Sequence, residues 1–273
     1  MIQKEAIQEL VSTGNAPLFL KQIEEAKTKS TLIALPHDYK VTNMESYNEF
    51  RDELRGKFET SLITEFAKYA KIYAAEGSAA FVNVDSMTAV AIFDIGTTEQ
   101  PLHQRHKSSC ALKKTAPFKT MLSVDGQRFD QRGLAEWLED YAEYITPYGD
   151  DGEAIDIKKA VEAIRTLKFE HTRGSEREVQ NFAASQSEYE KMATMTKESL
   201  VIPAGFRFDC IPYQGLESRT FDMRLSIIKN EVLSIRIKRL EETRELIAIE
   251  FKDKLLKSLE EAQIVMPTYV GEF

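Results

Sequence analysis

The chain has 273 residues, enough for a sizeable core in one large domain or two small ones. A formal net charge of −8 excludes general attraction to nucleic acid or anionic membrane, so any such binding needs a local basic patch. The two cysteines, Cys110 and Cys210, are too few for a disulfide framework or a zinc site, and both are expected to be reduced and buried.

Apolar residues at Ile2, Ala6, Ile7 and Leu10 predict a first helix over Ile2–Val11, broken at Gly14. Pro17 suits the first turn of a second helix reaching about Lys27. Thr31–Leu35, closed by Pro36, reads as a strand, and Glu45–Leu54 as a polar helix or extended turn. Leu62, Phe66, Tyr69, Ala70 and Tyr73 recur at helical spacing and predict a helix over Leu62–Glu76, ended by Gly77.

A central hairpin follows within residues 79–95. Ala80, Val82 and Val84 alternate with Phe81 and Asn83, the chain turns at Asp85-Ser86-Met87, and Thr88–Phe93 forms a second strand that is apolar on both rows. Arg105–Lys114 continues as a third strand, with Lys107, Ser109, Ala111 and Lys113 on one face and Ser108, Cys110 and Leu112 on the other. Pro117–Val124 predicts a short helix. Asp130 is placed to cap a helix through Ile145, with Leu134, Trp137, Leu138, Tyr141 and Ile145 as its apolar stripe.

Thr146–Asp156, with Pro, two Gly and a cluster of acids, is the expected boundary between an N-terminal subdomain, 1–148, and a C-terminal one, 149–273; the two could also share one core. Ile157–Leu167 is helical and Lys168–Thr172 turns toward strand, whereas Arg173–Glu198 is polar and fits helix, extended excursion or mobile arm. Phe221, Met223, Leu225 and Ile227 alternate with polar residues, Asn230 centres a turn, and Leu233, Ile235 and Ile237 complete an antiparallel hairpin with one buried face. The last helix, Leu240 to about Ala262, carries two apolar sides: Ile247, Phe251, Leu255 and Leu259 on one, Leu246, Ile249 and Leu256 on the other. The second side is expected either to be buried in its own subunit or to meet a partner. The fold class is α+β: antiparallel β-hairpins packed with helices and a long C-terminal amphipathic helix.

Gln100–Val124 contains no acidic residue and five basic ones, Arg105, Lys107, Lys113, Lys114 and Lys119, together with Phe118. Cations beside an aromatic stacking platform are a way to hold single-stranded nucleic acid. Arg224, Arg236 and Lys238 fall on one outward row of the second hairpin and would join this patch if both hairpins shared a sheet. The bland alternative is that each cation meets a neighbouring glutamate. His103 and His106 are weak metal candidates, since positions three apart on extended chain face opposite ways; they read more simply as surface histidines. Nucleophile signatures and phosphate-binding glycine loops are absent, so no catalytic residues and no cofactor are expected.

Several landmarks in order carry a resemblance: Leu35-Pro36 before Tyr39; FVNVDSMTAVAIFD; HQRH; the FKTML run from Phe118 before Asp125-Gly126; GLAEWLEDY at Gly133–Tyr141; LVIPAGFRFDCIPYQG at Leu200–Gly215; and the Arg219–Arg239 hairpin before the closing helix. Together they resemble the YfdQ-like family of phage and prophage proteins, a domain family of unknown function. The resemblance implies a phage origin and an accessory role, and it supplies no catalytic residues. With no signal peptide and no run of roughly 20 apolar residues, a cytoplasmic location in a bacterial host and no membrane partner are expected. The expected function is that of a non-enzymatic phage accessory protein that self-associates. The alternative is a nucleic-acid-binding factor in phage recombination, replication or defence evasion; a host or phage protein partner is also open.

Overall fold

The structure, a computed structural model, describes residues 49–51, 53–167, 200–228 and 232–273. The chain divides into two compact units, Met1–Leu54 and Arg55–Phe273. Every element below belongs to the second. The expected elements at 2–11, 17–27 and 31–35, half of 45–54 (45–48 and 52), the stretch 168–198 and the turn at Asn230 lie outside the described residues.

The fold is α+β. Ten strands form two five-stranded sheets, and five helices are described among them. The first sheet has the order β1-β4-β3-β2-β10, with β1 Gly56–Thr60, β2 Ala79–Asn83, β3 Thr88–Ile92, β4 His106–Ala111 and β10 Thr268–Val270. Its centre is the expected hairpin plus the expected third strand. Asn83 makes the turn: its side-chain oxygen accepts from the backbone of Asp85 and Ser86, both at 3.1 Å. Met87, in the left-handed region at φ 55°, closes it. The outer strands differ from a pure hairpin stack, because β1 joins β4 and β10 joins β2 in parallel. Parallel pairing needs a long connection, and the chain supplies it for β10 by returning its C-terminal segment to lie beside β2.

The second sheet, β5-β9-β8-β7-β6, is wholly antiparallel: β5 Arg128–Phe129, β6 Ile145–Tyr148, β7 Gly205–Cys210, β8 Arg219–Ile228 and β9 Val232–Ile237. The expected alternation is observed. Phe206, Phe208, Phe221, Met223, Leu225, Leu233 and Ile235 are buried on one face.

Five helices flank the sheets: α1 Ile63–Tyr73, α2 Ala116–Ser123, α3 Gln131–Asp140, α4 Ile157–Arg165 and α5 Leu240–Glu261. Side-chain caps start three of them. Thr115 accepts from Phe118 N, Asp130 from Gly133 N at 2.7 Å, and Asp156 from Lys158 N and Lys159 N. Asp130 is the expected cap, but α3 stops at Asp140 rather than Ile145. Ile145 is drawn into β6 opposite Phe208, and Pro147 is tolerated there because β6 is the edge strand. The expected boundary stretch therefore opens as a sheet strand. The Arg55–Phe273 unit runs on through it: β5 and β6 complete the sheet built by β7–β9, and β10 completes the sheet built by β1–β4.

Candidate functional site

Helix α5 has two unlike sides. Ile247, Phe251, Leu255 and Leu259 recur every four residues and are buried against the unit's own core, where α5 meets α1. On the far side Leu246 is 53% exposed and Ile249 50%, while Leu256 is half-buried. At 100° per residue, Leu246, Ile249, Asp253 and Leu256 fall within an arc of about 80°. An ion-pair cluster borders this stripe. Arg219, at the start of β8, holds Glu250 at 2.8 Å, Lys254 adds a contact to Glu250 at 3.1 Å, and Glu217 N donates to Glu250 at 2.7 Å. Partial burial alone would push the Glu250 carboxyl up; the Glu217 backbone bond and the two cations outweigh it and hold it below the ordinary carboxylate range. A shallow groove of about 370 Å³ runs between this cluster and Leu246 and Ile249.

The solvent face of the second sheet is cationic. Its registers place Arg207 beside Asp222, and Arg224 opposite Arg236, with Lys238 just past the end of β9. Arg128 faces the same way, opposite Ser234. Tyr148 lies flat on this face over Gly205, where a Cβ would overlap both the Tyr148 hydroxyl and Met223 O. Arg207 stands 5.1 Å and Lys238 5.5 Å from the centre of the Tyr148 ring, and Lys238 Nζ donates to its hydroxyl at 3.1 Å. The ring thus fixes two cations. Arg128 and Arg207 were not among the residues expected here, because only the register across β5, β7, β8 and β9 aligns them.

The first-segment cations do not merge with this face, since β4 and the β8–β9 hairpin lie in different sheets. Arg105, Lys113, Lys114 and Lys119 are exposed and Lys107 is half-buried. Lys113 and Lys114 run beside Tyr213 and Gln214 instead, through a bridge between Lys114 and Tyr213 and the bond from Gln214 N to Lys113 O at 3.1 Å. Phe118 corrects the stacking-platform expectation. It is 1% exposed and packs on Tyr213 and Phe221, because it is the inward residue of the Thr115-capped helix α2.

His103 is exposed, as expected of a surface histidine, but His106 is buried. Tyr69, Tyr73 and Phe93 surround its ring, and its Nε2 lies 2.9 Å from the Tyr69 hydroxyl. The signal was in the sequence: His106 shares the strand parity of Ser108 and Cys110. Among the described residues no three His, Cys, Asp or Glu side chains gather as a metal site, and no helix is long and apolar enough to cross a membrane. Both cysteines are buried; desolvation pushes the Cys110 thiol up to about 11, and desolvation reinforced by Asp209 pushes Cys210 up to about 12.

Fold and surfaces define an α+β protein of two five-stranded sheets, with an apolar outer helix side and a cationic outer sheet face. The chain belongs to the family described as uncharacterized conserved protein (DUF2303), whose model matches residues 4–273. Neither a curated protein nor a solved structure matches it.

Proposed function

We propose that this protein is a non-enzymatic accessory protein of phage or prophage origin that works in the bacterial cytoplasm as a homo-oligomer, with the outer side of α5 as the contact between copies. One observation carries the reading: Leu246 and Ile249 are half-exposed on a helix whose opposite side already supplies its core. A surface helix needs one apolar stripe, not two.

The phage setting rests on the order of sequence landmarks given above.

Light scattering during size exclusion tests the reading. The expected mass is a multiple of 31.1 kDa, falling to the single-chain value in a Leu246→Glu, Ile249→Glu variant with unchanged circular dichroism. A wild-type protein that stays at 31.1 kDa at tens of micromolar concentration overturns it.

A further inference from the structure

We infer that the outer face of the second sheet binds the phosphate backbone of single-stranded nucleic acid, along a track from Lys238 over Arg236 to Arg128. The inference is independent of self-association, since α5 takes no part in this face.

The first ground is charge. In a chain with 44 acids and 36 bases, five cations and two acids, Asp209 and Asp222, occupy the aligned rows of this face; Asp209 lies on β7, away from β9, and accepts from the Thr220 hydroxyl. Asp222 is taken up on the far side by Arg207, at 4.0 Å. Among the described residues the other acids near this face lie at its margins. The loop 149–153, with Asp150, Asp151 and Glu153, borders the β6 edge, and Asp125 Oδ1 is occupied by Ile237 N at 2.9 Å. The open cationic path therefore runs on the β9–β5 side, where Arg128, Arg236 and Lys238 are all exposed.

The second ground is residue type and preorganisation. Arginine forks match phosphate oxygens in pairs, which lysine cannot do. Lys238 is held by the Tyr148 hydroxyl, so less side-chain freedom is lost on binding. Strands about 4.8 Å apart, with same-face residues about 6.6 Å apart along each, give a track on the order of 15 Å, long enough for a few successive phosphates. A flexible single strand can follow the twist of such a sheet. Tyr148 lies beneath its cations and offers no stacking surface, so backbone contact without base readout is expected. An anionic membrane surface fits less well: among the described residues none of the large exposed apolar side chains lies on β5–β9, and peripheral membrane binding uses apolar burial as well as charge.

The test is fluorescence anisotropy of a labelled mixed-sequence single strand of about 20 nucleotides, titrated at rising salt. Wild-type protein should bind, with log affinity falling against log salt at a slope of about −2, as expected for three phosphate contacts. Arg236→Gln with Lys238→Gln should weaken binding at least tenfold and flatten the slope by about 1.4. If the double variant unfolds, exposed Arg236→Gln alone carries the test, with a slope change of about 0.7. Absence of wild-type binding at low salt overturns the inference. So does binding unchanged in these variants, including the case in which Lys113→Gln with Lys114→Gln abolishes it instead.

Discussion

Arg219 and Glu250 meet at 2.8 Å, and this pair fastens the start of β8 to the middle of α5. Glu250 also accepts from Glu217 N and Lys254, so one carboxylate serves three donors from two stretches of chain. Glu250→Gln should lower stability by about 1–2 kcal/mol in urea melts at neutral pH. The sign with pH follows from its lowered pKa. The native carboxylate contributes fully above its unfolded value and loses that contribution as pH falls through the lower, folded one. The advantage of wild type over the variant should therefore shrink only below the ordinary carboxylate range. A gap that stays constant from pH 7 to pH 3 would contradict the charged-cluster account.

Burial that raises both thiols makes a chemical prediction. Thiolate is the reactive form, and it is scarce in Cys110 and Cys210 at pH 8. A thiol reagent such as Ellman's should titrate neither cysteine in the native protein and both in denaturant. Fast labelling of the folded chain would place at least one of them at the surface.

Gly205 is a steric requirement imposed by Tyr148. Gly205→Ala should cost about 2–3 kcal/mol, because its Cβ meets the rigid backbone of Met223 as well as the Tyr148 ring. Gly126 provides the contrast. A Cβ there finds open space and meets only the strain of φ 73°, so Gly126→Ala should cost about 1 kcal/mol. Thermal melts that reverse this order would argue against the close packing of Tyr148 on β7.

What the sequence discloses here is what repeats locally. Alternation in Thr88–Phe93 and Arg219–Ile237 exposed both hairpins, Asp130 marked its helix start, and two offset stripes separated the sides of α5. What it hides is register between distant strands. Nothing near Thr268 announces a parallel pairing with Ala80, and nothing near Arg128 announces that it shares a face with Arg236. Phe118 shows a second limit. A basic neighbourhood suggested a ligand platform, yet Phe118 and Met121 are three residues apart, the spacing of an inward helix side, and both are buried.

The two sides of α5 can be separated by substitution on one helix. Phe251 is fully buried, so Phe251→Ala should cost about 3–5 kcal/mol through lost burial and the cavity it leaves. Ile249→Ala, two residues away, removes a half-exposed side chain and should change the unfolding of the single chain by less than about 0.5 kcal/mol. Its effect should appear in the concentration dependence of the native mass instead. Dissociation should occur at higher protein concentration than for wild type, and the apparent melting temperature should depend on concentration in wild type but less so in the variant. If Ile249→Ala destabilises as much as Phe251→Ala at every concentration, the outer side belongs to the core of its own subunit and the contact between copies must lie elsewhere.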